Sequence, residues 1–469
     1  MTTERRTVLA LSGAFLAGLA GCASDDGDDP TDDEPDSGDE PDDSAFDEYE
    51  TDFPELDLVT DPGIESDLLA EQVRGNVAAS LAVLEQLREE TPDENLFFSP
   101  YSISVALAMT YAGARGETAT EMAETLRYEL EGDDLHAAFG ALEHEFERRN
   151  EDGKTVETPE WAGEETDGTE DELGFQLSSA NTVWPEDDYP FAEGYFDLLE
   201  AYYGAGKHLV DFSGSPEEAR QEINEWVADR TNDRIEDLLP EGSIDSSTRL
   251  VLTNAVYFLA AWEHDFDPAD TEPGTFTNLD GSETDLDLMY QSAELRYAEI
   301  DGHQLVELPY ANGDTSMVVI LPAAGEFESF EETFSVDRLG VMLEEIGRPK
   351  VDLTFPKFGI ESEFSLVGTM QNLGMTRAFD NGSADFSGMV DGDSSGLAID
   401  DIRHKSFIEV DEEGTEAAAA TAVEMDEAAP PDHVEMTVDR PFLFYIRDRP
   451  TETPLFVGRV VDGESLQSE

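Results

Sequence analysis

Six apolar runs of strand length, at residues 177–184, 249–258, 316–321, 351–355, 407–410 and 442–446, follow one another along the chain with long, irregular spacers between them. Helical patterns fall among them near 191–203, 215–229 and 363–373, without the strict strand–helix alternation that a parallel βαβ sheet would need. This arrangement predicts an α+β fold with large, mainly antiparallel sheets. Upstream the pattern is helical. Leu68, Leu69, Val73, Val77, Leu81, Leu84 and Leu87 recur at helical spacing behind Ser66, a plausible cap. Residues 101–113 are apolar and small enough for a buried helix, and 118–126 continue in a helical pattern. A further amphipathic helix is expected over 133–149, with Leu135, Phe139, Leu142 and Phe146 on one face. The acidic, non-periodic stretch 150–173 reads as an exposed insertion. No repeat of fixed period is present.

The first 61 residues belong to no such pattern. Paired Arg5 and Arg6 precede a mostly apolar run over 8–20, which is too short to span a bilayer needing about 20 residues but suits a signal-peptide core. The arginine pair resembles a twin-arginine export signal. Leu19-Ala20-Gly21-Cys22 resembles a lipobox, whose thiol is lipidated and becomes the mature N-terminus. Residues 1–22 are therefore expected to be a signal segment and Cys22 a lipid anchor. Cys22 is also the single cysteine of the chain, so no internal disulfide is possible. Residues 23–61 are rich in Asp, Glu, Pro and Gly, and cannot bury enough apolar surface to fold. They read as an extended tether, with the folded domain at 62–469.

Charge limits the partners. The chain carries 111 acidic against 26 basic residues, a net charge of -85, and the excess continues beyond the tether. Such a surface repels itself unless counterions screen it, which points to a high-salt setting, and it argues against nucleic acid as a partner.

Catalytic motifs are sparse. Gly392-Asp393-Ser394-Ser395-Gly396 has the Gly-x-Ser-x-Gly spacing of a nucleophile elbow, but it lies in a polar loop composition without the required strand before it or helix after it. The 7 histidines are scattered, with neither a His-Glu-x-x-His pair nor cysteine partners, so no metal is expected. No glycine-rich phosphate loop occurs, and no cofactor is implied.

What stands out is the small-residue tract Glu412-Glu413-Gly414-Thr415-Glu416-Ala417-Ala418-Ala419-Ala420-Thr421-Ala422-Val423. It precedes a segment with Ala428, Ala429, Pro430 and Pro431 that reads as an exposed, protease-accessible loop. Taken alone the tract is compatible with a weak helix or a linker, since alanine is the best helix former. The segment that follows, Met436-Thr437-Val438-Asp439-Arg440-Pro441-Phe442-Leu443-Phe444-Tyr445-Ile446, resembles the signature of the serpin family. Three further blocks are similar to serpin blocks and stand in family order. They are Asn95 to Ile103 continuing to Thr118, Leu252 to Phe258 leading to Trp262, and Asp400 to Thr421. The resemblance spans roughly 66–465 and implies the serpin fold, with about eight to nine helices and an exposed reactive-centre loop.

It further implies an inhibitor of serine-type proteases rather than an enzyme. In this family the target cleaves the loop, and the loop then inserts into the main sheet as a new strand and traps the acyl-enzyme. Family spacing from Glu412 implies a reactive bond at Ala428–Ala429, and the small leading residue suits an elastase- or subtilisin-like protease outside the cell. The hinge would be Glu412, Gly414, Thr415, Glu416, Ala417, Ala418, Ala419, Ala420 and Thr421. In a strand, Thr415, Ala417, Ala419 and Thr421 share the inward face and carry no charge. Ser99, Ser102, Asn254 and His404 match the polar cluster that controls opening of the main sheet. Trp262 and Lys357, with Glu412, match the point where insertion begins, and a Glu412–Lys357 ion pair is expected there, worth about 0–1 kcal/mol where exposed. The helix at 133–149 is acidic, so heparin-type activation is not implied. The expected protein is a monomer, anchored to the outer face of the cytoplasmic membrane through Cys22. Two alternatives stand beside this reading: a non-inhibitory serpin acting as a carrier, and a lipid-anchored hydrolase using Ser394.

Overall fold

The computed structural model describes residues 66–153, 175–179, 181–205, 208–231, 233–392, 397–415 and 433–466. The signal segment, Cys22 and the tether therefore lie outside the described residues. So do nearly all of the 150–173 insertion, Ser394, hinge residues Glu416 to Thr421, and Ala428 and Ala429.

In chain order the elements are helix α1 (Ser66–Glu90), strand β1 (Leu96–Phe98), helices α2 (Pro100–Tyr111), α3 (Gly116–Thr125) and α4 (Gly132–Gly153), and strands β2 (Phe175–Ser179) and β3 (Thr182–Pro185). Helices α5 (Glu193–Tyr203) and α6 (Pro216–Arg230) lead to β4 (Leu250–Thr253), β5 (Val256–Ala261), β6 (Glu272–Thr277), β7 (Glu283–Glu294), β8 (Arg296–Ile300), β9 (His303–Pro309) and β10 (Thr315–Leu321). After α7 (Phe327–Thr333) and α8 (Val336–Glu344) come β11 (Lys350–Pro356), β12 (Phe358–Ser365) and α9 (Val367–Asn372). The chain then runs through β13 (Arg403–Val410), β14 (Gly414–Thr415), β15 (His433–Thr437), β16 (Phe442–Asp448) and β17 (Thr453–Val460).

Three large sheets result. The main one has the order β12-β13-β14-β5-β2, the second β1-β17-β16-β10-β9-β8, and the third β15-β11-β7-β6. Nearly all pairings are antiparallel, as expected; β11 with β15 is parallel. The second sheet forms the core. Every residue of β10 and β17 is buried, which is why 316–321 reads as a continuous apolar run instead of an alternating one. Phe97 of β1 stacks on Phe456 of β17 at 5.1 Å between ring centroids.

The local signals explain the helix starts. Ser99 caps α2 by accepting a hydrogen bond from the Ser102 amide, and Pro100 takes the first helical position, where its missing N–H costs nothing. Eleven of its residues, Pro100 to Thr110, are buried, which fits a helix that is apolar all round.

The helix expected over 133–149 runs on to Gly153, into the stretch expected to be an exposed insertion, and two further boundaries differ from expectation. The helix expected over 363–373 begins only at Val367, because Phe358–Ser365 is drawn into an eight-residue ladder with β13. The runs 177–184 and 249–258 are each broken in two. The pairs Ser179↔Val256 and Thr182↔Thr253 belong to one continuous register, interrupted where Asn181 and Asn254 face each other.

Candidate functional site

At one end of the main sheet, β13 and β5 are held apart by a two-residue wedge. After Val410 the chain turns through Asp411, whose Oδ1 accepts from the amides of Glu413 (2.9 Å) and Gly414 (3.2 Å). The chain then re-enters the sheet as β14. There Thr415 pairs with Val410 on one side and Ala260 on the other, and Gly414 with Ala261. Both pairings are antiparallel, so β5 and β13 run parallel to each other. Among the described residues their direct pairing is the single bridge Ala255↔Lys405, at the other end of both strands.

Residue size decides that this wedge fits. A Cβ on Gly414 would lie 2.2 Å from the Ala260 carbonyl oxygen and 2.8 Å from the Ala261 Cα, so only glycine is accommodated without displacing backbone. Thr415 is fully buried, and its hydroxyl lies 3.0 Å from that of Tyr310. Tyr310 in turn stacks on Trp262, with centroids 4.6 Å apart and rings 6° from parallel. Trp262 holds the turn twice: its amide donates to the Glu413 carbonyl (3.0 Å) and its Nε1 to the Asp411 carbonyl (3.1 Å).

Glu412 anchors the turn from outside. One carboxylate oxygen lies 2.9 Å from Lys357 Nζ, and the other accepts from the Thr271 hydroxyl at 2.8 Å. The expected pair therefore exists and is partly sheltered: the Glu412 side chain is 11% exposed and that of Lys357 41%. Screening at the lysine keeps its contribution near about 1 kcal/mol. Burial, together with the Glu413 charge, pushes the neighbouring Asp265 carboxyl up to about 6.

The second cluster lies beneath the sheet at its closed end, and it brings together all four residues expected there. His404 of β13 is fully buried. Its Nε2 accepts from the Ser99 amide at 3.0 Å, so the ring proton sits on Nδ1, 2.6 Å from Asn254 Oδ1, and is donated there. Burial pushes the imidazole down to about 3, which keeps it neutral. Ser99 Oγ donates to the Leu455 carbonyl (2.7 Å) and accepts from the Ser102 amide (3.2 Å).

A fifth member was missed from the sequence. Asn181 Oδ1 accepts from both Ser102 Oγ (2.8 Å) and Asn254 Nδ2 (3.2 Å). The signal was available as the mirrored pairs Asn181-Thr182 and Thr253-Asn254 inside two apolar runs. Only their pairing across the sheet shows that the two amides meet. The cluster thus ties β13, the β4–β5 break, the β2–β3 break and the start of α2 into one hydrogen-bonded unit.

The chain as a whole is similar to known proteins. Residues 74–463 match the family described as serpin (serine protease inhibitor). A serpin-like protein of Thermococcus kodakarensis is 39% identical over 79% of this chain and 81% of its own length. Leukocyte elastase inhibitor A of Mus musculus is 36% identical over 82% of this chain and 97% of its own. Among solved structures, uncleaved ovalbumin superposes with a TM-score of 0.70 at 26% identity, covering 83% of this chain and all of ovalbumin (100%). Maspin gives a TM-score of 0.74 at 23% identity, covering 84% of this chain and 100% of maspin, a likeness of fold alone.

Proposed function

The chain belongs to the serpin family of serine protease inhibitors, and from that premise we propose that it acts as a suicide substrate. The target's serine hydroxyl attacks the carbonyl carbon of Ala428. An ester forms there, the peptide bond breaks, and the amine of Ala429 leaves with the C-terminal segment. Before water hydrolyses the ester, the cut loop enters the main sheet between β5 and β13 and carries the protease with it.

The observation that supports this most is the wedge itself. Gly414 and Thr415 are already paired with both flanking strands in the antiparallel sense. Residues added after Thr415 would continue the same strand into a seam that, among the described residues, β5 and β13 close directly through one bridge. The residues next in line, Glu416 to Thr421, offer only Ala417, Ala419 and Thr421 to the inward face, so insertion buries no charge. The small residue at 428 favours a protease with a shallow specificity pocket, and the name of the mouse relative, an elastase inhibitor, agrees. The proposed targets are extracellular elastase- or subtilisin-like enzymes.

The first residues support a proposed localisation: export through the Arg5-Arg6 signal, lipidation at Cys22, and an acidic tether that holds a monomeric inhibitor off the outer face of the cytoplasmic membrane in a high-salt medium. Mass analysis of the mature N-terminus tests this part.

The inhibitory reading is tested by mixing the protein with subtilisin and with elastase in high salt. The expected result is a complex that survives denaturant and the release of a peptide that begins at Ala429. Cleavage without a complex would identify a carrier instead. Indifference to both enzymes, with an esterase activity lost in Ser394→Ala, would identify a hydrolase.

A further inference from the structure

The strand that receives the far end of the reactive loop carries a constellation outside the machinery just described. β15 starts at His433 and lies parallel to β11 in the third sheet, with Lys350 opposite His433 and Asp352 opposite Glu435. Alternate residues of a strand share a face, so His433, Glu435 and Asp352 point to the same outer surface, with Ser292 of β7 next in the row. His433 Nε2 lies 2.8 Å from Asp352 Oδ2, and the Ser292 hydroxyl donates to the other Asp352 oxygen. Ligand atoms from Asp352, His433 and Glu435 all lie within 4.8 Å of one another.

We propose that Asp352, His433 and Glu435 form a binding site for a divalent transition-metal ion such as zinc, which would clip β15 to β11 just beyond the reactive loop. The donor set suits such an ion: one imidazole and two carboxylates, with a fourth position left for water. The imidazole favours zinc and its neighbours over magnesium or calcium, which prefer all-oxygen sites. Metal–ligand bonds of about 2 Å bring donor atoms to within roughly 3.5 Å of each other, so a small rotation of the two exposed side chains completes the cage. Ser292 orients Asp352 from behind, as second partners of metal ligands do.

Electrostatics favour occupancy. Glu435 stands directly across from Asp352, a like-charge pair that is unfavourable unless a cation lies between. Among the described residues no side chain pairs with the Glu435 carboxylate. Lys350, opposite His433, is the competing cation in the row, and Glu294 stands opposite it on β7. The net charge of -85 further concentrates cations at the surface. The sequence offers no ligand spacing to read, since Asp352 meets His433 and Glu435 only through the parallel pairing of strands.

The proposal stands apart from the inhibitor reading, because its test uses intact protein and no protease. Chelator-treated full-length protein is titrated with zinc in high-salt buffer by calorimetry, with magnesium as the comparison. The expected result is one zinc per chain, a rise in Tm, and slowed amide exchange over 433–437. His433→Ala and, separately, Glu435→Gln should weaken binding by about tenfold or more and abolish the Tm rise. Their Tm without metal should match the parent, since both side chains are exposed and the backbone ladder is untouched. No saturable binding, equal binding in both variants, or equal effects of magnesium would overturn the proposal.

Discussion

The hydroxyl of Thr415 lies 3.0 Å from the phenol of Tyr310, at a point where neither residue reaches solvent. Gly414 and Thr415 of the proposed hinge are thus not merely close to the sheet but seated in it. Thr415→Arg would force an unpaired charge into that seat, at a cost of several kcal/mol, roughly 2–7 for an unsatisfied polar group and more for a charge. The variant should therefore be cleaved by subtilisin without forming a denaturant-resistant complex. Gel analysis of the reaction distinguishes the two outcomes, and an undiminished yield of complex would count against strand insertion.

Gly414 faces the Ala260 carbonyl with no room for a side chain. Gly414→Ala should expel β14 or push β5 aside, costing about 1–3 kcal/mol as other overpacked sites do. A lower Tm is expected, with faster amide exchange at Ala260 and Ala261. An unchanged Tm would mean that the wedge adds nothing to the resting state.

Asn181, itself half-buried, accepts two hydrogen bonds from buried residues in the cluster around His404. Asn181→Ala leaves the Ser102 hydroxyl and the Asn254 amide group each short of a partner, at about 1–3 kcal/mol apiece. Denaturant titration should report that loss, and Ser102→Ala in the same background should recover part of it. Without recovery, the contacts would not be coupled.

The buried imidazole of His404 sits at about 3, below its unfolded value near 6.5, so it binds a proton only after unfolding. The stability it lends is complete above pH 6.5 and falls as pH drops, by at most about 1.4 kcal/mol per pH unit for one proton. His136, pushed by burial down to about 4, acts in the same sense. Glu143, raised by burial to about 7, acts oppositely, losing stability as pH rises from its ordinary range toward 7. The readout is therefore a difference. Between pH 5 and 6.5, the parent should lose more stability than His404→Gln, which starts lower but lacks that slope. Parallel curves would contradict the neutral assignment.

Much of this protein was legible in its residues because the signals are local. Residues 101–113 are small and apolar enough for a buried helix, the apolar stretch at 316–321 marks a strand, and the uncharged inward set at the hinge needs only the two-residue period of a strand. Ser99, Ser102, Asn254 and His404 came from family likeness, and the fold brings them together. Other features depended on partners distant in sequence. Asn181 joins the cluster only because its strand lies across from Asn254, and the 363–373 pattern yielded to a strand because β13 offered eight residues of pairing. Asp352, His433 and Glu435 share a face only through the parallel register of β11 and β15. Propensity and periodicity act over a few residues and are written along the chain, whereas register is decided by which strands come together, and that is settled only when the sheets form.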